Sequence, residues 1–438
     1  MSVLENARPF QLALYGGFGL LLVLAIILIN FADLGSSGDD GPVIGPVTIW
    51  GTLDAGAVRS VLAEITQENE AFRGVSYEQF PSDQFSHRLV DAIIENRQPD
   101  LVLIPHTQLV ENRRVLLPID YEFFSQRRLR SDYLDGFEIF AQSNGLYAIP
   151  FVADPLILYW NRDMFAGSGL VRPPETWEDV TGTVLPDVVR RTLDRSVTQS
   201  PIAFGFYENN RNAFASISML LLQAGSRMVE EQEGNYAVNI NRALPGGDDR
   251  PLDTTARFYT RFADPTDPLF SWTRNKREDR QEFLGETLAL YFGMGSEFSS
   301  MQRQNPNLNF DVAPVPQSAN ATISRTYADF YGFSIVHSSS NISGAFQVAQ
   351  KFSTPRNSTL MANQVEMVPA HRTALAEGAT SVLGSVTYDA ALVARGWLNP
   401  TFSKTEQILD QMIRDIHAGR RDYSGASSDV RNSLQQVF

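Results

Sequence analysis

The sequence contains no cysteine, which excludes disulfides, thiolate nucleophiles and cysteine-based zinc or iron–sulfur sites. Histidine is scarce as well. The five present, His87, His106, His337, His371 and His417, fall at no metal-ligand spacing, and neither a Gly-x-Ser-x-Gly elbow nor a phosphate-binding P-loop occurs. There is no excess of positive charge either: 36 Lys and Arg stand against 50 Asp and Glu, a formal net charge of −14. That balance argues against nucleic acid, which needs a basic patch. No internal repeat is found. The many Asp and Glu leave a glycan-cleaving enzyme open on composition alone.

Charge of both signs is missing between Arg8 and Asp33, where the core Leu20–Ile29 is almost purely aliphatic. At about 1.5 Å per residue this segment exceeds the roughly 30 Å of a bilayer's hydrocarbon core. Residues 10–32 are therefore read as one uncleaved transmembrane helix after a cytoplasmic tail, 1–9. The alternative is a cleaved signal peptide, but its apolar region runs to about 7–15 residues before a small-residue cleavage site. Ile29-Asn30-Phe31-Ala32 fits that site poorly. Arg8 gives the positive-inside rule only weak support. Residues 33–46, rich in Gly, Ser, Pro and Asp, read as a flexible linker with a root-mean-square span of roughly 20 Å.

From Val47 onward about 400 residues remain, more than one core usually serves. Pro46–Trp50, Val75–Phe80 and Pro99–Ile104 read as strands, alternating with helices over Gly56–Phe72 and Gln84–Glu95. That order implies parallel sheets covered by helices, with ligands bound beyond the carboxyl ends of the strands. Trp50 and Asp54 follow the first strand, Asp83 the second and His106 the third. For Asp83, as for Ser82 and Thr107, a helix N-cap explains the residue equally well.

The most informative stretch is Gly145 to Asp179. It begins GLYAIPF, continues through LILYWNRDMF and closes with PPETWEDV. Gly145–Tyr147 reads as a turn into a short strand stopped by Pro150, and Leu156–Trp160 as a second strand. Asn161-Arg162-Asp163 opens a helix. Thr176, three residues before Asp179, reads as an N-cap. This order resembles the signature of the family 1 extracellular solute-binding proteins, which include maltose-binding protein. Phe283–Glu297 with its Gly285-Glu286 pair, Phe310–Pro316, Tyr331–Val336, Ala345–Phe352 and Val368–Arg372 are similar to later segments of the same family.

The resemblance implies an α/β, two-lobed periplasmic-binding-protein-like fold, with a central sheet and flanking helices in each lobe, preceded by the transmembrane helix. It implies crossings near Asp154, near Tyr327–Tyr331 and near Glu366–Pro369. Lobe 1 is then 47–153 with 331–367, and lobe 2 is 154–330 with 368–438. The expected function is capture of a small solute, most consistently an oligosaccharide, by hinge closure outside the cell, with delivery to ABC permease subunits. No catalysis and no cofactor are expected, and the protein is read as a monomer held to the cell membrane by its amino-terminal helix. A ligand-sensing or adhesion protein signalling to another membrane partner is the alternative. The ligand contacts expected are Trp50, Asp54, Asp83, His106, Asp154, Tyr207, Asn210, Glu297, Tyr331 and Trp397. Phe298, Tyr327, Phe330 and Phe402 are further rings for stacking on a sugar face. Asp154 matches a ligand-binding acid of the family, with a hinge-capping role as the alternative. The basic clusters Arg113-Arg114 and Arg127–Arg130 read as solvated faces or docking patches, and Ser424–Phe438 as a last helix or a fraying end.

Overall fold

The computed structural model describes residues 44–244, 247–379 and 381–438. The expected tail, anchor and most of the linker lie outside the described residues. No described helix is long and apolar enough to cross a membrane.

The predicted parallel strands form as read. Val47–Gly51 pairs in parallel with Val75–Gln79 on one side and with Leu101–Pro105 on the other. Their helices begin on capping residues: Asp54 accepts the Ala57 N–H (2.8 Å) at the start of Ala55–Glu68. Val58, Val61 and Ile65 of that helix are buried against the sheet, the spacing that gives a helix one apolar face.

Two long strands extend this sheet and change its character. Thr326–Val336 runs antiparallel to Leu101–Pro105, with Tyr331 opposite Pro105, and antiparallel to Ile149–Asn161. Ile149–Asn161 then pairs through its later half with Leu288–Met294 and Phe310–Ala313, and Val197–Ile202 follows in parallel. A single curled sheet of 12 strands results.

The strand that Pro150 was expected to stop is therefore continuous through both Pro150 and Pro155. Proline in a central strand normally removes a ladder hydrogen bond. Here Pro150 sits where the register slips beside Tyr331 and Gly332, and Pro155 sits where the strand exchanges one set of partners for another. Both missing N–H groups fall at breaks in the ladder.

The two helix starts of the signature stretch form as read. Asn161 caps Arg162–Gly167 by accepting the Met164 N–H (2.9 Å). Thr176 and Asp179 form a reciprocal capping box, with Thr176 Oγ1 accepting from the Asp179 N–H (3.0 Å) and the Asp179 carboxylate from the Thr176 N–H (3.1 Å). The chain ends in a helix, Tyr423–Val437.

Apolar side chains gather in separate clusters. One holds Val47, Ile49, Leu101, Leu103, Phe151, Val152, Phe330, Phe333 and Phe352. A second holds Leu156, Leu158, Phe204, Phe214, Phe292, Trp397 and Leu409, and a third beside it holds Ile157, Tyr159, Tyr291 and Met301. The change from first to second cluster along Ile149–Asn161 falls between Ala153 and Leu156, at Asp154. Val368-Pro369 still pairs with Val152-Ala153. Later, Ala391 and Leu398 belong to the first cluster while Ala390 and Trp397 belong to the others.

Candidate functional site

Asp154 and Asp329 face each other directly in the antiparallel register. Residues so paired point to the same side of a sheet, with their Cβ atoms about 4.5–5.5 Å apart. The two acids thus share one environment at the changeover between clusters. Asp154 accepts from the Ser296 N–H (3.1 Å) and from Ser296 Oγ (2.5 Å). Asp329 accepts from the Tyr327 hydroxyl (2.6 Å). Neither forms an ion pair among the described residues.

Burial without a counter-charge determines their titration. Desolvation pushes the Asp154 carboxyl up to about 8, against the pull of the Ser296 hydrogen bonds and with a further push from Asp329 and Glu297. Desolvation likewise raises Asp329 to about 6, opposed by the Tyr327 hydroxyl. Tyr331, half-buried on the same strand, has its phenol raised well above the ordinary value by burial and then by these two acids.

His106, at the end of Leu101–Pro105, is brought to this centre by the sheet. Its ring lies 5.9 Å from that of Tyr327 and 5.8 Å from that of Phe330. The Phe330 N–H donates to Nδ1 (3.2 Å), which places the imidazole proton on Nε2. Burial pulls His106 down to about 3, so the ring is neutral. Its Nε2 has no hydrogen-bond partner among the described residues and abuts Gly396.

The remaining expected contacts divide. Trp50 is half-buried and packs its ring 4.5 Å from that of Phe80. Asp54 and Asp83 are exposed, Asp54 acting as an N-cap and Asp83 lying in the first turn of Ser82–Ile94. Tyr207 is half-buried and donates to Glu406 (3.3 Å). Asn210 is buried, and its amide donates to the Ala203 carbonyl (3.1 Å), a bond within its own loop. Trp397 is buried at 4 % exposure: its indole N–H donates to Ser218 (2.9 Å) and its ring stacks on Phe214 with centroids 5.6 Å apart. A 520 Å³ cavity reaches Trp397 and is also lined by Ile139, Val229 and Gly396; Asp154 does not line it.

Glu297 is fully engaged by its own surroundings. Arg280 lies 3.2 Å away and Arg211 3.7 Å. The Tyr291 hydroxyl (2.7 Å), the Asn212 amide (2.9 Å) and the Met294 N–H (3.0 Å) donate to the same carboxylate. Asp329, Ser296 and Glu406 were not among the expected contacts. Asp329 had one legible signal, an acid alternating with Tyr327 and Tyr331 in a strand; nothing local marks the others. Glu366 was read as part of a crossing, and its carboxylate accepts from the Ser299 N–H (2.9 Å) and hydroxyl, tying the end of Pro355–Val365 to the start of Phe298–Gln304. Among the described residues no group of three or more His, Asp or Glu could hold a metal ion.

Solved structures with this architecture include several sugar-binding proteins and UgpB of Mycobacterium tuberculosis, solved with glycerophosphocholine. A cyclo/maltodextrin-binding protein complexed with maltotetraose superposes with a TM-score of 0.71 at 14 % identity, covering 91 % of this chain and 98 % of that one. The sugar-binding protein MalE of Xanthomonas citri gives 0.72 at 17 %, covering 90 % and 97 %. The GacH receptor of Streptomyces glaucescens GLA.O, solved unliganded and with acarbose, gives 0.67 at 15 %, covering 90 % and 98 %. No family model matches the sequence, and no curated sequence does. The chain has the α/β periplasmic-binding-protein-like fold with a curled central sheet.

Proposed function

We propose that this protein is a solute-binding protein of an ABC importer, which closes two lobes on an oligosaccharide and delivers it to permease subunits. The observation that carries this reading is the pair of strands Ile149–Asn161 and Thr326–Val336, each of which continues from one apolar cluster into the next. Strands that pass between cores in this way act as hinges for closure around a ligand. The lobes are the segments around the first cluster and those around the other two. Ala390–Leu398 serves as the third connection in place of Glu366–Pro369, because its side chains alternate between clusters.

The ligand is held where the acids and rings of the hinge meet: Asp329, Tyr331 and Asp154, backed by the buried His106, with Trp50 from one lobe and Tyr207 from the other. Half-buried rings offer flat apolar faces to a sugar, and carboxylates accept its hydroxyls. The protein performs no chemistry on its cargo. Residues 10–32 tether it to the cell membrane as a monomer with the globular part outside.

The test is a melting-shift screen of the full chain against glycan and peptide libraries. Anything that binds only the folded state raises the transition by mass action, by about 2.7 kcal/mol at a hundredfold excess over Kd. Oligosaccharides are expected to raise it. A shift given by peptides alone would overturn the sugar assignment, and no shift by any solute would overturn the carrier reading.

A further inference from the structure

We propose that a cavity lying apart from the hinge acids, between the Gln317–Arg325 segment and Arg395, binds a tetrahedral oxyanion: phosphate or a phosphate monoester. The cavity has a volume of 590 Å³, within the range of about 300–1,000 Å³ usual for small-molecule sites. Its walls carry two guanidiniums, Arg325 and Arg395, and the side chains of Ser318, Asn320 and Thr322, with no aspartate or glutamate among them. In a chain with a net charge of −14, a concavity walled by cations and neutral donors stands out chemically.

The charges are only partly compensated where they meet. Arg395 is paired with Asp135 (2.9 Å), but Asp135 is also engaged by Arg372. Arg325 has no ion pair among the described residues; its guanidinium donates only to the Ser324 carbonyl (3.1 Å). Burial and then the charge of Arg395 pull Arg325 below the ordinary arginine value, partly opposed by Asp135. The nearby Glu178 is turned to the Ala319 N–H (3.0 Å) and does not line the cavity.

The wall is also fixed in place. The Arg325 N–H donates to Gln317 Oε1 (3.0 Å), and its carbonyl accepts from Gln223 (3.0 Å) and Gln317 (3.1 Å). Ala394-Arg395 pairs in parallel with Thr326-Tyr327, so Arg395 lies in the strand beside the one that Arg325 immediately precedes. Two guanidinium forks on a fixed backbone, plus hydroxyl and amide donors, suit a planar pair of oxygens on a multiply charged anion better than they suit chloride or a neutral sugar.

Calorimetric titration of the full chain with sodium phosphate, and separately with glucose 1-phosphate, tests this against sodium chloride at equal ionic strength. Saturable binding is expected for phosphate or its monoester and not for chloride, weakened at least tenfold in Arg325→Gln and less in Arg325→Lys. Asp135→Asn, which frees Arg395, should tighten it. A tighter monoester would assign the ester as ligand, and an equal or weaker one free phosphate. Heats indistinguishable from chloride, or Arg325→Gln titrating like the parent with unchanged circular dichroism, would overturn the site. Failure of any glycan to bind would leave this result untouched.

Discussion

Two buried acid centres in this molecule solve the same problem in opposite ways. Glu282, 8 % exposed in its side chain, is met by Lys276 (3.3 Å) and Arg277 (2.9 Å), and Thr287 donates to it (2.6 Å). Although burial would raise it, these partners hold its carboxyl below the ordinary value. Asp154 and Asp329 receive only hydroxyl and amide donors and are pushed up to about 8 and about 6. A buried carboxylate with cations beside it is a structural joint. One without them retains unmet capacity for a donor or a proton, and the changeover between apolar clusters is where the fold leaves that capacity.

The sharpest way to break the contrast is Glu282→Gln, which strands Lys276, itself only 10 % exposed in its side chain. Removing one partner of a buried ion pair costs about 3–5 kcal/mol, and Arg277 being more exposed sets the expectation at the low end, about 3 kcal/mol by chemical denaturation. A loss under about 1 kcal/mol would mean that the joint is not structural.

Asp154→Asn and Asp329→Asn should behave in the reverse sense. A carboxyl whose folded value lies above the unfolded 3.8 binds more protons when folded, so its contribution is fully present below pH 3.8 and is lost as pH rises through 6 for Asp329 and 8 for Asp154. The amides do not ionise. Each variant should therefore match the parent near pH 4 and exceed it at pH 8, by at most about 3 kcal/mol for Asp329→Asn and about 5 kcal/mol for Asp154→Asn. Parent and variants with parallel pH profiles would contradict the desolvation account. Glu282 has the opposite sign, its contribution being present above its unfolded value near 4.5 and lost as pH falls through a lower folded value.

The smallest effect concerns His106. Its folded value near 3 lies below the ordinary 6.5, so the unfolded chain takes up its proton first and stability falls as pH drops below 6.5. His106→Gln should flatten the profile between pH 6.5 and 4 by about 1 kcal/mol or more. An unchanged slope there would show that the ring protonates freely and is not sealed at the hinge.

Local chemistry made much of the fold legible. The Thr176 and Asp179 capping box, the Asn161 cap and the alternation of apolar strands with amphipathic helices before His106 each depend on neighbours in sequence. What sequence obscured depends on distant partners. Pro150 reads as a breaker because a lone strand cannot show that its ladder already has a gap at that point. Trp397 has the size and amphipathic character of a ligand platform, but Ser218 and Phe214 complete its surroundings from far along the chain. Asp329 became informative only when the register set it against Asp154, 175 positions away by the pairing of the two long strands.

Closure about those strands is measured most directly by the distance between spin labels on exposed Gln84 and Lys404, one on each side of the hinge, in the full chain with and without a bound oligosaccharide. A single narrowed distance in the presence of ligand, shifted from the distribution without it, is the expected result. The same distribution in both states, with binding verified by calorimetry, would contradict a hinge at Asp154 and Asp329.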